Sequence, residues 1–218
     1  MNGSIFQGVE LVFRKELTLG LRFKAAWAAM FLFALTTLSC ISLAMQPRLL
    51  AALFWVVLFF SSLAGADRVF GDEDMAGTLL VLKVYGPSQA ILLGKMLYTA
   101  FILLILAVFI TPLFLIFMNG SAALPGLLLG TLAAGIWGIA AAGTLIASLL
   151  VGASVHSGLF SILMLPVILP VFIPAIALTA AAFGDGTASL SYLVSMILYD
   201  LILTVGASLL FDYLWYED

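Results

Sequence analysis

Polar side chains are too scarce in this chain to keep it in water. Only 9% of its 218 residues are charged while 65% are hydrophobic, so no soluble core leaves enough polar surface to cover the apolar remainder. The solvent is lipid, and long apolar runs broken by short polar patches predict one integral membrane domain over residues 1–218. Cysteine is nearly absent. The lone Cys40 cannot make an intrachain disulfide and reads as a small buried hydrophobe. Histidine is equally scarce, and the single His156 excludes both the paired histidines of H-E-x-x-H and, with no G-x-S-x-G present, a nucleophile-elbow hydrolase. Gly94-Lys95 runs into Met96 with no upstream glycine, which rules out a phosphate-cradling loop and places any ATP hydrolysis in another chain. All eight Lys and Arg lie at or before Lys95, and no nucleic-acid partner is expected. The chain reads as a non-enzyme, with no bound metal and no directly bound cofactor.

What is present is a series of apolar runs of membrane-crossing length. About six spans are expected, near Ala25 to Met45, Leu49 to Ala66, Met96 to Met118, Leu124 to Val151, Gly158 to Phe183 and Leu190 to Phe211. Backbone amides in lipid must bond within their own segment, and these runs lack period-2 alternation, so the fold class is all-α and polytopic. Short links at Gln46-Pro47-Arg48, Asn119 to Ala123 and Gly184-Asp185-Gly186 read as tight turns. Arg14, Lys15, Arg22, Lys24, Arg68, Lys83 and Lys95 fall on one side of these spans and only Arg48 on the other. That asymmetry predicts both termini in the cytoplasm. Ser42-Leu43-Ala44 resembles a signal-peptide cleavage site, but the polar lead-in before it is too long and the apolar run is a full span.

Residues 1–24 carry their own pattern. On a helix, Ile5, Val9, Val12, Phe13, Leu17 and Gly20 fall on one arc and Gln7, Glu10, Arg14, Thr18 and Arg22 fall opposite, with Glu16 breaking the apolar arc. This is an amphipathic interfacial helix, either touching a partner or serving as a plain anchor. The segment 67–95 holds seven of the chain's nineteen charges. Asp72 is placed to cap a short helix with Glu73 and Asp74 in its first turn, Gly77 to end it, and Pro87-Ser88 to start the next. A cytoplasmic elbow of short helices follows, and its mixture of charge with Leu and Val suits docking to a soluble partner better than an idle loop does.

Within the spans, polar and helix-breaking residues stand out. Asp200 lies inside the sixth span, where a central carboxylate costs about 2.5 to 3.5 kcal/mol, so a polar partner is expected, with Tyr192, Tyr199 and Thr204 the candidates. It suits a packing or gating role first and a proton or substrate role second. Gly126, Gly130, Ala134, Gly138 and Ala142 recur at steps of four as a helix-packing ladder, with substrate lining as a lesser reading. Pro166, Pro170 and Pro174 remove successive helical hydrogen bonds and are expected to bend or break the fifth span, as a structural kink or along a conduction path. His156 sits in the turn Gly152 to Gly158, where a solvated histidine fits better than a metal or haem ligand.

Phe54-Trp55-Val-Val-Leu-Phe-Phe-Ser-Ser-Leu, Asp67-Arg68-Val-Phe70, Asp72, Gly77-Thr-Leu79, Gly86-Pro87 through Lys95, and Gly158 to Pro170 with its L-P-x-x-x-P stretch together resemble the CcmB family, the haem exporter protein B permeases of cytochrome c maturation. The resemblance covers essentially the whole chain. It implies a bacterial inner-membrane permease, similar in plan to type V exporter permeases, that dimerises and pairs with a CcmA-like ATPase. CcmC-like and CcmD-like membrane proteins and a CcmE-like periplasmic haem chaperone complete the implied complex. ATP would be bound by the partner, its hydrolysis coupled to haem delivery or to release of the haem-loaded chaperone, with haem handled through the complex. By the same resemblance, Asp67, Arg68, Phe70, Asp72, Glu73, Asp74 and Gly77 form the coupling helix that receives motion from the ATPase. A drug or glycan exporter permease shares the six-span plan, though Trp55 and Asp67-Arg68 argue against it, and an intramembrane enzyme would have to use Asp200 or His156 without a visible companion.

Overall fold

The computed structural model describes residues 5–22, 24–44, 50–66, 68–117, 121–151, 157–185, 187 and 189–216. Among them there is helix and no strand. In chain order the elements are α1 (Ile5–Arg22), α2 (Lys24–Ala44), α3 (Leu50–Ala66), α4 (Arg68–Met75), α5 (Leu79–Tyr85), α6 (Ser88–Phe117), α7 (Pro125–Leu149), α8 (Ser157–Ala182) and α9 (Leu190–Tyr216).

Among the described residues, four helices are long and apolar enough to cross a membrane: Ser88–Phe117, Pro125–Leu149, Leu159–Ala182 and Leu190–Tyr213. A fifth is reached if Ile5–Arg22 and Trp27–Ser39, bent by 71° to one another, count as one span, while Ala51–Leu63 is apolar but shorter. The helix that carries the third apolar run starts where Pro87-Ser88 was expected to start it. α6 begins at Ser88, where Pro87 offers its carbonyl to the N–H groups of Ala90 and Ile91, and runs on into the apolar segment without a break. An interior Pro112 does not interrupt it.

α7 is the central element. It packs on α8 and α9 and also meets α3, α4 and α6. Gly135, Gly138 and a run of alanines keep its surface low, so these neighbours approach its backbone closely. The largest fully buried side chain among the described residues is Trp55 of α3, which fills the groove so made. Its indole N–H donates to Thr179 Oγ1 of α8 at 2.9 Å, and its ring lies against the bare backbone at Gly135. Phe54 and Phe172 close the ring edge, with centroids 5.9 Å from that of Trp55 in each case.

The three prolines do not break α8, one of the two outcomes expected of them. The helix is continuous from Ser157 to Ala182 with Pro166, Pro170 and Pro174 inside it. At a spacing of four the missing donors fall on one side of the helix, and the ladder on the other sides carries it through. The Tyr199 hydroxyl of α9 donates to the Val167 carbonyl at 2.7 Å, next to the Pro166 carbonyl whose helical donor Pro170 removes.

Candidate coupling site

The elbow between α3 and α6 begins one turn earlier than the charge pattern suggested. α4 starts at Arg68, so Asp72 lies within the helix and does not cap it. Its end is as expected. Gly77 adopts φ +65°, and the Thr78 N–H returns to the Glu73 carbonyl at 3.0 Å, the closure that a glycine in the left-handed region permits. α5 follows directly, and Pro87 then launches α6.

This geometry brings Glu73 of α4 beneath the first turns of α6, where Lys95 is fully buried. An ammonium has three donors, and a buried one is tolerable only when they are all used. Lys95 Nζ donates to Glu73 Oε1 at 2.7 Å, to Glu16 Oε1 at 2.7 Å and to the Val69 carbonyl. It also lies 4.7 Å from the centroid of the Phe70 ring. Lys15 of α1 completes the cluster, bonded to Glu16 Oε1 at 3.1 Å and to Glu73. Two cations and two carboxylates thus balance across three helices. Outside the cluster, the Phe70 ring stands 5.7 Å from Phe211 of α9, and Phe211 stands 4.8 Å from Trp215. Lys83 of α5 lies 5.5 Å from the Trp215 ring, and Ser88 at the start of α6 donates to Asp212.

α1 is held against α6 by close backbone approach as well as charge. A Cβ at Gly8 would lie 2.7 Å from Ala90 Cβ, and one at Gly94 would lie 2.6 Å from Val12 Cβ. The expected arc of Val9, Val12, Phe13, Leu17 and Gly20 faces inward, while Ile5 is exposed. Glu16, which spoiled that arc in the sequence, is the residue that meets Lys95.

Burial pushes the Glu73 carboxyl up, but the Lys95 charge and the hydrogen bonds from Lys15 and Lys95 outweigh it and hold the group below its ordinary 4.5. Burial pulls Lys15 down, but its bond to Glu73 and the charges of Glu16 and Glu73 leave it above its ordinary 10.5. For a lowered carboxylate, the stabilisation is present above 4.5 and is lost as pH falls through the folded value. For a raised lysine it is present below 10.5 and is lost as pH rises through the folded value. Hydrogen-exchange protection of α1 is therefore expected to stay level between these limits and to fall at both. Glu73→Gln should remove the acid limb, and an acid limb unchanged in that variant would assign it to another group.

Of the residues expected at the elbow, Phe70 and Glu73 meet in this cluster and Gly77 ends α4. Asp67 lies outside the described residues, as do the side chains of Arg68, Asp72 and Asp74. Sequence reasoning missed Lys15, Glu16, Lys95, Phe211, Asp212 and Trp215. The one available signal was charge placed where an apolar helix face should be, at Glu16 and at Lys95.

In the spans, the ladder on α7 divides. Gly126 has open space around it, Gly130 is in ordinary contact with Leu193, Ala134 and Ala142 are buried, and Gly138 is tightly covered by Val171 and Asp200. Gly135, which accommodates Trp55, lies off the ladder and went unnoticed. The expected partners of the Asp200 carboxyl are otherwise engaged. Thr204 Oγ1 donates to the Asp200 main-chain carbonyl at 2.7 Å, Tyr199 bonds Val167, and Tyr192 is exposed. His156 lies outside the described residues.

A family model of the CcmB protein matches residues 8–210, from the second turn of α1 almost to the end of α9. No curated protein matches the chain.

Proposed function

The chain belongs to the CcmB family, and from that membership we propose that it is the haem-exporter-type permease of the ABC-type system of cytochrome c maturation, a multi-pass inner-membrane protein. It performs no hydrolysis itself. A CcmA-like ATPase binds and cleaves ATP, and the elbow of α4 and α5 passes the resulting motion into the bundle. CcmC-like and CcmD-like proteins and a CcmE-like haem chaperone are the further partners, with a second copy of this chain forming a homodimer. We read the bundle as six spans, with α2 and α3 packed as a hairpin and α1 kept at the interface by its polar face, which leaves both termini in the cytoplasm.

The observation that carries the coupling reading is the buried ion cluster. Lys95 joins α4 to α1 and to the base of α6 through charged hydrogen bonds, so a displacement of α4 is transmitted to a membrane span without slack. Glu73 is therefore an internal strut, and Asp72 and Asp74 are left as the acidic residues of α4 that meet the ATPase.

The test is co-purification of the tagged chain with its ATPase in mild detergent, alongside cytochrome c maturation in cells. The double variant Asp72→Ala with Asp74→Ala is expected to retain its melting temperature while losing ATPase capture or ATP-dependent maturation by about tenfold, the effect of roughly 1.4 kcal/mol of lost contact. Normal capture together with normal maturation would remove α4 from the interface.

A further inference from the structure

Apart from the elbow, the membrane part of the chain contains a carboxylate with an unusual setting. Asp200 lies near the middle of α9, about 15 Å from its first residue at 1.5 Å per residue, and is only 5% exposed. It faces the bare backbone of α7: a Cβ built on Gly138 would lie 2.6 Å from Asp200 Oδ1 and 2.9 Å from Val171 Cγ2 of α8. Oδ1 is fully enclosed and has no hydrogen-bond partner among the described residues.

Among the described residues, nothing in the seam supplies a counter-charge. The sequences of α7 and α8 contain no ionisable side chain. On α9 the nearest hydroxyls are committed: Thr204 donates to the Asp200 main-chain carbonyl and accepts from the Trp137 indole at 3.0 Å, and Tyr199 donates to Val167. Tyr192, Asp212, Tyr213 and Tyr216 stand two or more turns away on the same helix. α6 also packs on α9, but its Lys95 has all three donors placed on Glu16, Glu73 and Val69, and its Tyr98 accepts from Trp27. Oδ1 of an ionised carboxylate here would lose its hydration with no compensating donor, and a group so placed takes up a proton. A metal cation is a poor alternative, because hard cations require about six oxygens and the neighbouring hydroxyls already point elsewhere.

We infer that Asp200 is an intramembrane proton-binding site, a neutral carboxylic acid while α7, α8 and α9 are packed and an anion once the seam between them admits water. The ligand is the proton itself, and Gly138 is the residue that makes room for the acid group. Closing the seam takes up one proton, and opening it returns that proton to water.

Infrared spectroscopy of the full-length chain in lipid vesicles, with the aspartate carboxyls carbon-13 labelled, reads this directly. A protonated-carboxyl stretching band is expected at neutral pH, moved by the label, absent from Asp200→Asn and lost when the wild type is unfolded in denaturing detergent at the same pH. Gly138→Ala, which presses a methyl group onto Oδ1 while keeping the acid, should shift the band and supplies the assignment if Asp200→Asn fails to fold. The inference is overturned if the labelled wild type shows no such band, if Asp200→Asn retains it, or if sodium at constant pH abolishes it and so identifies a metal cation as the occupant.

Discussion

Lys95→Met is expected to destabilise the chain by about 3 to 5 kcal/mol, the cost of removing one member of a buried ion pair, and to detach α1 from the elbow. The methionine fills much of the lysine's volume, so the loss is electrostatic. Glu16 and Glu73 would keep their burial but share only Lys15, which is partly exposed, and the Val69 carbonyl would lose its donor. The largest change should therefore be local. Cleavage in α1 by added protease should rise steeply, the melting temperature in mild detergent should fall, and cytochrome c maturation should fail even where the ATPase still binds. Combining Lys95→Met with Glu73→Gln removes a stranded charge as well as its partner, so the double variant should be more stable than Lys95→Met alone. If Lys95→Met melts like the wild type with α1 still protected, the cluster does not hold the elbow, and the proposed coupling would have to run through Phe70, Phe211 and α9 instead.

How far the sequence announced this arrangement depends on the range of the interaction. Helix existence and type were legible throughout, because apolar runs of this length admit one solution in lipid. Local chemistry was legible too. Gly77 ends α4 with a positive φ and Pro87 precedes α6, as their residue types require. The start of α4 was not, since an acidic triplet looks like a first turn even when the preceding Arg68-Val-Phe-Gly already continues the helix. Long-range pairing was invisible. Lys95 finds Glu73 and Glu16 at sequence separations of 22 and 79, and nothing in a single sequence ties those positions together. The signs of the residues were nevertheless there to be read, because Glu16 on an apolar arc has to be answered by a buried cation. At the prolines the sequence leaves a bend and a break both open, and three rings spaced by four weaken one side of α8 while the helix runs on unbroken.

The packing of Trp55 gives the second large effect, and it tests the centre of the bundle independently of the elbow. Trp55→Ala should cost about 3 to 5 kcal/mol, because it empties the groove between α7 and α8 and leaves Thr179 Oγ1 without the indole donor that reaches it at 2.9 Å. Trp55→Phe keeps most of the volume and loses that bond, so about 1 kcal/mol is expected. Gly135→Val acts from the other side. Its side chain would overlap the six-membered ring of the indole, and a crowded core of this kind costs about 1 to 3 kcal/mol. The two positions answer one another: Trp55→Leu surrenders the volume that the introduced valine requires, so the double variant should melt above the Gly135→Val single variant. Additive losses would instead mean that α3 and α7 separate enough in the membrane for the indole to avoid Gly135. In that case the ladder of small residues on α7 serves α8 and α9 alone, and α3 is free to move with the elbow that follows it.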